Sequence, residues 1–439
     1  MDLFALCSID NYAALEPALT KATSSGLDVT KLLDPQGNTL MHMCVLRGSL
    51  QCIQVLGKHA HALVRQRNSV SNVEPLHLAI GTGNVNVVHG LLSCGADPNS
   101  LCPDTVVGQM SAICGAVSKR NLPMVSLLLK AGANVDTLAL VTAVRNNLVG
   151  MVSILLDHCR ATGQREIVNT TLTQEAAGSL QLPSGCTPLL AAVALSFHDM
   201  ALLLVQNGSN IEIPDAKDRR PLHVAASRDD VQMIRLLLQR NVQVDATRKS
   251  DAWNALHFAA EANAFRATTF LLQLGFPVNA SANNLATTLH IACWNKSSSV
   301  VQALIQAKAH LDQPMERGWT ALAIAAKHGD QLTVSHLLKA RASVGSPGSG
   351  IPAPLFHAIT ANNNNVVSQL LMCNADPNLP GHKDVAPLFL AASKGYSGIV
   401  QQLLSHRALP ETCPGDTKVT PLMQAIAFKH PRCAELLLI

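Results

Sequence analysis

Asp215-Ala216-Lys217-Asp218-Arg219-Arg220-Pro221-Leu222-His223-Val224-Ala225-Ala226 leads into Asp230-Val231-Gln232-Met233-Ile234-Arg235-Leu236-Leu237-Leu238 and then into Asn241-Val242-Gln243-Val244-Asp245. Pro221 suits the first position of a helix, where its missing N–H is not needed. Ala225 and Ala226 are small enough to let a neighbouring helix come close. In the second segment Val231, Ile234, Leu237 and Leu238 recur at spacings of three and four, which places them on one helical face. The stretch therefore predicts helix, turn, helix and hairpin. Two helices this short cannot bury that face alone, since a fully buried Leu or Ile contributes only about 1.5–3 kcal/mol. A neighbouring copy is required.

The copies are found by following Leu222. Equivalent residues stand at Leu189, Leu222, Leu256, Leu289, Leu322, Leu355, Leu388 and Leu422, at intervals of 33 or 34. The unit resembles the ankyrin repeat, whose period is about 33 residues and whose helix start carries a Thr-Pro-Leu-His signature. The signature reads here as Thr187-Pro188-Leu189-Leu190, Arg220-Pro221-Leu222-His223, Asn254-Ala255-Leu256-His257, Thr288-Leu289-His290, Thr320-Ala321-Leu322 and Thr420-Pro421-Leu422. Gly95-Ala96-Asp97-Pro98-Asn99, Gly132-Ala133-Asn134-Val135-Asp136 and Asn374-Ala375-Asp376-Pro377-Asn378 match the pattern that closes a repeat. The resemblance covers nearly the whole chain. It implies an all-α, curved ankyrin-repeat solenoid of about 12–13 stacked helix-turn-helix units joined by hairpin loops.

The expected organisation begins with a degenerate capping repeat over residues 1–33, then repeats of irregular spacing over 34–159. The interval is 35 from Met41 to Leu76, 36 from Leu76 to Ala112 and 28 from Ala112 to Leu140. Slightly longer hairpins, such as Ser100 to Met110, account for the excess, and a nearly absent hairpin between Asn134 and Ala139 for the deficit. Leu140 to Leu189 spans 49 residues, which leaves an insertion of about 16 over one ordinary period. Residues 160–184 are polar and aperiodic and read as this insertion: a loop, or a lengthened second helix followed by a loop, on the convex side. Regular repeats are expected over 185–439, with Ser346-Pro347-Gly348-Ser349-Gly350 as one flexible hairpin tip. The last repeat, ending Leu436-Leu437-Leu438-Ile439, reads as truncated or uncapped, so that the chain either dimerises there or belongs to a longer protein.

Composition narrows the function. Aromatic residues make up 3% of the 439, which suits thin helix-on-helix layers rather than a single globular core. The formal net charge is only +4, and basic residues such as Arg219-Arg220 and Arg248-Lys249 occur as dipeptides, so nucleic acid is not an expected partner. No apolar run reaches the ~20 residues of a membrane span, and the N-terminus lacks a basic signal-peptide region. The 12 cysteines are scattered singly and read as reduced apolar fillers. The chain is therefore expected to be soluble and cytoplasmic, in a reducing compartment.

Five of the 17 histidines, His42, His77, His223, His257 and His290, occupy the fourth position of the signature. The resemblance gives that side chain a local hydrogen-bonding role that fixes the hairpin and helix start. No metal-ligand spacing, phosphate loop or nucleophile motif appears. No enzyme activity, cofactor, metal or small-molecule substrate is expected.

In ankyrin repeats the variable positions are the hairpin tip and the residues after the Ala-Ala pair, and both face the concave groove. On that template Trp253 and Trp319 fall at hairpin tips, and Trp294 directly follows Ala292-Cys293. Tryptophan is enriched at interface hot spots, and Arg219, Arg228, Glu261 and Lys327 occupy neighbouring groove positions. These seven residues are the expected binding surface for a protein partner, which makes the chain a scaffold or adaptor. The competing reading is that each tryptophan packs between adjacent hairpins. An alternative function is the recognition portion of a larger multidomain protein, such as a ubiquitin-ligase adaptor, kinase or channel.

Overall fold

The computed structural model describes residues 2–104, 108–240, 242–346, 348, 351–415 and 418–438. Asn241, three of the five residues of the Ser346–Gly350 tip and the terminal Ile439 lie outside these. The chain divides into two units, Met1–Pro221 and Leu222–Ile439.

The first unit opens with α1 (Leu3–Ser8) and α2 (Tyr12–Ser24), then α3 (Leu40–Arg47) and α4 (Leu50–His59), and α5 (Pro75–Thr82) and α6 (Val85–Ser93). It continues with α7 (Ala112–Ser118) and α8 (Leu122–Lys130), α9 (Thr137–Arg145) and α10 (Val149–Thr162), a short α11 (Gln174–Ser179), and α12 (Pro188–Ala194) and α13 (His198–Gln206). In the second unit α14 (Pro221–Ser227) pairs with α15 (Val231–Leu238), α16 (Ala255–Glu261) with α17 (Phe265–Gln273), and α18 (Thr288–Trp294) with α19 (Ser298–Gln306). α20 (Ala321–His328) and α21 (Gln331–Lys339), α22 (Pro354–Thr360) and α23 (Asn364–Met372), α24 (Pro387–Lys394) and α25 (Ser397–Ser405), and α26 (Pro421–Ala427) and α27 (Pro431–Leu437) complete it. Thirteen helix pairs thus form among the described residues.

Within each unit the first helix of a pair packs on the first helix of the next, and likewise the second helices, as in α16, α18, α20 and α22 against α17, α19, α21 and α23. The result is two helical layers. The inner helices are built from residues small enough for this contact: Ala225, Ala226, Ala259, Ala260, Ala292, Cys293, Ala325 and Ala326 are all fully buried. Ile113 stands where Leu222 stands, because α7 starts at Ala112 as α14 starts at Pro221. The earlier register point on Ala112 is therefore corrected by one residue.

The chain reverses between the two helices of a pair through a left-handed residue. Gly329 and Gly395 occupy it without strain, whereas Asp229, Asn263 and Lys296 adopt φ of 56°, 55° and 56°.

Signature histidines connect one repeat to the next. His42 Nδ1 lies 2.8 Å from Thr39 Oγ1, and its Nε2 lies 2.9 Å from the Val73 carbonyl in the following hairpin. A carbonyl can only accept, so Nε2 carries a hydrogen, and Nδ1 accepts from Thr39 N–H at 3.4 Å, so the ring is neutral. His77 and His223 reach the carbonyls of Ser100 and Ala246 in the same way, at 3.1 and 3.0 Å. The repeat-closing asparagines form a second connection: Asn99 donates to the Gly132 carbonyl and accepts from Asn134 N–H, and Asn378 does the same with Arg407 and Leu409.

Departures from the repeat are concentrated in the hairpins. Leu101–Asp104 (β1) and Gly108–Ser111 (β2) form an antiparallel pair, so the long hairpin near Ser100 is a two-stranded ribbon rather than a loop. Asp136, at the position of Asn99, directly caps α9 by accepting from Ala139 N–H at 2.6 Å, which leaves no hairpin there.

The extra residues before α12 fall in two places. Six lie in the lengthened α10 and the 3-10 turn Arg165–Asn169, since Leu148 to Asn169 is 21 positions against 15 from Ala264 to Asn279. Ten lie in the hairpin, since Asn169 to Thr187 is 18 positions against 8 from Asn279 to Thr287. That hairpin closes through Leu172 N–H to the Cys186 carbonyl at 3.0 Å and carries α11 between its legs. Arg145, at the end of inner helix α9, donates to the Leu180 carbonyl at 2.7 Å. The convex placement is thus corrected: the larger share of the insertion stands on the hairpin side, where Ala176, Ala177 and Leu182 are buried.

In the last pair, α26 and α27 leave Met423, Ile426 and Leu438 between 55% and 72% exposed.

Candidate protein-binding site

Trp253 is the residue before Asn254, the cap of α16. It stands on the returning leg of its hairpin, where its carbonyl accepts from Arg248 N–H at 2.8 Å. Trp319 has the same place before Thr320, accepting from Met315 N–H at 2.9 Å. Neither is at the tip, where Asp251 accepts through its carbonyl from Asn283 N–H of the following hairpin, and Glu316 donates its N–H to the Asn284 carbonyl of the preceding one.

This placement holds the Trp253 ring from several sides. Its centroid lies 6.0 Å from His257 and 5.6 Å from Phe258, and the Arg248 guanidinium stands 5.1 Å above it. Arg248 is itself fixed by Asp251, with Nε 2.9 Å from Oδ1. Phe258 stacks on His223 of the preceding repeat at 4.9 Å. Trp253 is half-buried within this cluster.

Trp294 differs. As the last residue of α18 it is 51% exposed, with the His328 ring 5.2 Å away, edge to face. Trp253, Glu261, His290, Ile291, Trp294 and Met315 line one groove of about 390 Å³. Three of the seven expected site residues, from two consecutive repeats, therefore meet in one place. Apolar walls with a few polar groups are the usual character of a binding cleft.

The other four expected residues lie elsewhere. Trp319 stacks on His357 of the next repeat at 4.1 Å, and Lys327 stands 4.9 Å above its ring. It packs against inner helices α20 and α22 and does not line the groove. Lys327, next to His328 at the end of α20, is exposed and does not line the groove. Arg228 is exposed just past α14 and does not line the groove. Arg219 belongs to the first unit and is committed to Asp215, a fully buried carboxylate that it meets at 2.7 and 2.9 Å.

Met315, His290 and Ile291 were not expected in the site. Met315 carried a weak signal: an apolar side chain directly before the polar Glu316-Arg317-Gly318 turn. His290 and Ile291 carried none, because the same positions are ordinary packing positions in the two flanking repeats, at His257 and Phe258 and at Ala323 and Ile324.

Burial governs the titratable groups. It brings the imidazoles of His257, His290 and His357 down to about 4. The His328 imidazole is lowered by partial burial and then by the positive charges of Lys296 and Lys327. Nine cysteines are buried, and burial pushes the Cys159 and Cys186 thiols up to about 11 and about 12. These are packing groups rather than nucleophiles. Among the described residues no three His, Cys, Asp or Glu are placed to hold a metal ion, and no helix is long and apolar enough to cross a membrane.

Known proteins share this pattern. A family profile described as ankyrin repeats (three copies) matches residues 7–102, 110–215, 158–248, 196–282, 241–314, 256–348, 289–380 and 355–439. The chain is similar to the E3 ubiquitin-protein ligase KEG of Arabidopsis thaliana, at 26% identity over 46% of this chain and 12% of that protein. It is also similar to phosphocholine transferase AnkX of Legionella pneumophila, at 24% identity over 58% of this chain and 27% of the relative. Both matches span well under two thirds of the relative's length. Against the solved structure of the human ASB11 ankyrin repeat domain, identity is 23% and the TM-score 0.44, covering 50% of this chain and 97% of that one. With the family match running across almost all of its length, the chain belongs to the ankyrin repeat family.

Proposed function

We propose that this chain is a protein-interaction scaffold or adaptor that holds a partner protein in the groove between Trp253 and Trp294. The supporting observation is the convergence of Trp253, Glu261 and Trp294 on one mostly apolar cleft, with Trp294 half-exposed to solvent. Ankyrin repeats are protein-interaction modules, and stacked repeats bind through extended surfaces. Trp253 supplies a wall fixed by Arg248, His257 and Phe258, so little side-chain freedom is lost on binding. Trp294 supplies the anchor. The role is non-catalytic, without a cofactor, nucleic acid or small-molecule substrate, and the buried thiols suit a reducing, cytoplasmic setting.

A second reading, the recognition portion of a longer protein, is favoured by the relatives, since the chain matches 12% of the KEG ligase and 27% of AnkX. The length of the full transcript tests it.

Photo-crosslinking tests the groove. A benzoylphenylalanine at position 294 is expected to trap a discrete partner in cells, and the same group at Arg266, exposed on outer helix α17, is not. Equal trapping at both positions, or trapping only at Arg266, would overturn the proposal.

A further inference from the structure

The groove has ends of opposite charge. Glu261, the exposed last residue of α16, lines it at one end. Lys296, exposed two residues beyond Trp294, and Lys327, exposed at the end of α20, flank the other. Lys327 directly precedes His328, whose ring is 5.2 Å from Trp294, and burial, then the charges of both lysines, lower that imidazole. Glu261, Lys296 and Lys327 enter no ion pair among the described residues, whereas the nearby Arg248 is neutralised by Asp251. Glu316 and Arg317, adjacent in the Met315 hairpin, offset each other in charge.

Between the two ends the lining is mostly apolar, from Trp253, Ile291, Trp294, Met315 and Ile324, with Asn284, His290 and Asn295 as its polar groups. Glu261, Trp294 and Lys327 close three successive inner helices, α16, α18 and α20, which pack side by side. Packed helices are about 8–10 Å apart, and an extended chain advances about 3.3 Å per residue. One repeat therefore corresponds to about three residues of a bound strand.

Resting on the groove reading above, we infer that the partner presents an extended segment with a basic residue, an apolar residue about three positions away and an acidic residue about three positions beyond that. The basic side chain faces Glu261, the apolar one enters between Trp253 and Trp294, and the acidic one meets Lys296 and Lys327. Complementary charge of this kind fixes the register of the segment and speeds its encounter. A segment with the charges reversed is rejected, since both ends then meet like charge.

Selection of a random 12-residue phage-displayed peptide library on the whole chain, followed by fluorescence anisotropy on the synthesised winners, tests this. The expected winners carry the basic, apolar, acidic order at that spacing. Trp294→Ala and the Lys296→Glu, Lys327→Glu pair are each expected to weaken them by about tenfold or more. Exchanging the peptide's acidic residue for Lys is expected to restore binding to the charge-reversed pair. All substituted positions are exposed, and circular dichroism confirms that each variant is folded. Winners that depend on Trp294 but tolerate charge reversal overturn the inference and leave the groove as the docking site. Winners indifferent to Trp294 overturn the groove reading as well.

Discussion

From Ala112 to Thr187 the hairpins range from none at Asp136 to one that carries a helix at Gln174–Ser179, whereas from Asn254 to Ala386 four successive repeats have hairpins of matching length. The inner helices on both sides of this contrast nevertheless keep one pattern of burial, with Ala116 and Ala143 as enclosed as Ala259 and Ala325. The fold therefore depends on the helical layers and tolerates almost any connection between them. The candidate groove depends on the reverse: it forms where regular hairpins bring residues of consecutive repeats into line.

The largest effect expected to separate the two regions is that of pH. His257, His290 and His357 are held neutral near pH 4 by burial, while an unfolded histidine titrates near 6.5. Between those values the unfolded chain binds protons that the folded chain refuses. Stability is thus complete above about pH 6.5 and declines as pH falls toward 4, by at most about 3 kcal/mol per histidine. The irregular repeats have Cys114 and Leu190 where His257 and His290 stand. Hydrogen exchange at pH 4.5 is expected to show α16 to α22 losing protection before α7 to α12. Simultaneous loss in both would mean that the stack unfolds as one body whatever its local protonation.

Next in size is Leu256→Ala, which opens a cavity at a fully buried position and should lower stability by about 2–5 kcal/mol in urea titration. A cost under 1 kcal/mol would show that the helical layers repack more freely than this contrast implies.

Replacing Gln174–Ser179 with Gly and Ser removes the small buried pair Ala176 and Ala177 and should cost about 2 kcal/mol or less. A cost above that of Leu256→Ala would make the inserted helix part of the core instead of an ornament of its hairpin.

The smallest effect is predicted for Trp294→Ala. With half of its surface in solvent it should change stability by under about 0.5 kcal/mol, yet remove about 2 kcal/mol or more from partner binding. A stability loss as large as that of Leu256→Ala would identify Trp294 as a packing residue.

The helical pairs were legible from residues such as Leu222, Ala225, Ile234 and Leu237, because burial on a 33-residue period writes itself into the spacing of apolar side chains. The groove was legible in part. Trp253, Glu261 and Trp294 stand at variable positions of the repeat, and that was enough to nominate them. Nothing local distinguished them from Trp319, which occupies the same position as Trp253 one leg before a helix cap but packs on His357, or from Arg219, which Asp215 retains.

Sequence alone determined the repeat, its period and the number of missing and added residues, because each is fixed by which side chains must leave water and how often. Only the tertiary structure decided which variable side chains share a surface. Whether Trp294 projects into a groove while Trp319 is enclosed depends on the neighbour that the next repeat brings against each ring, and no spacing along the chain records that.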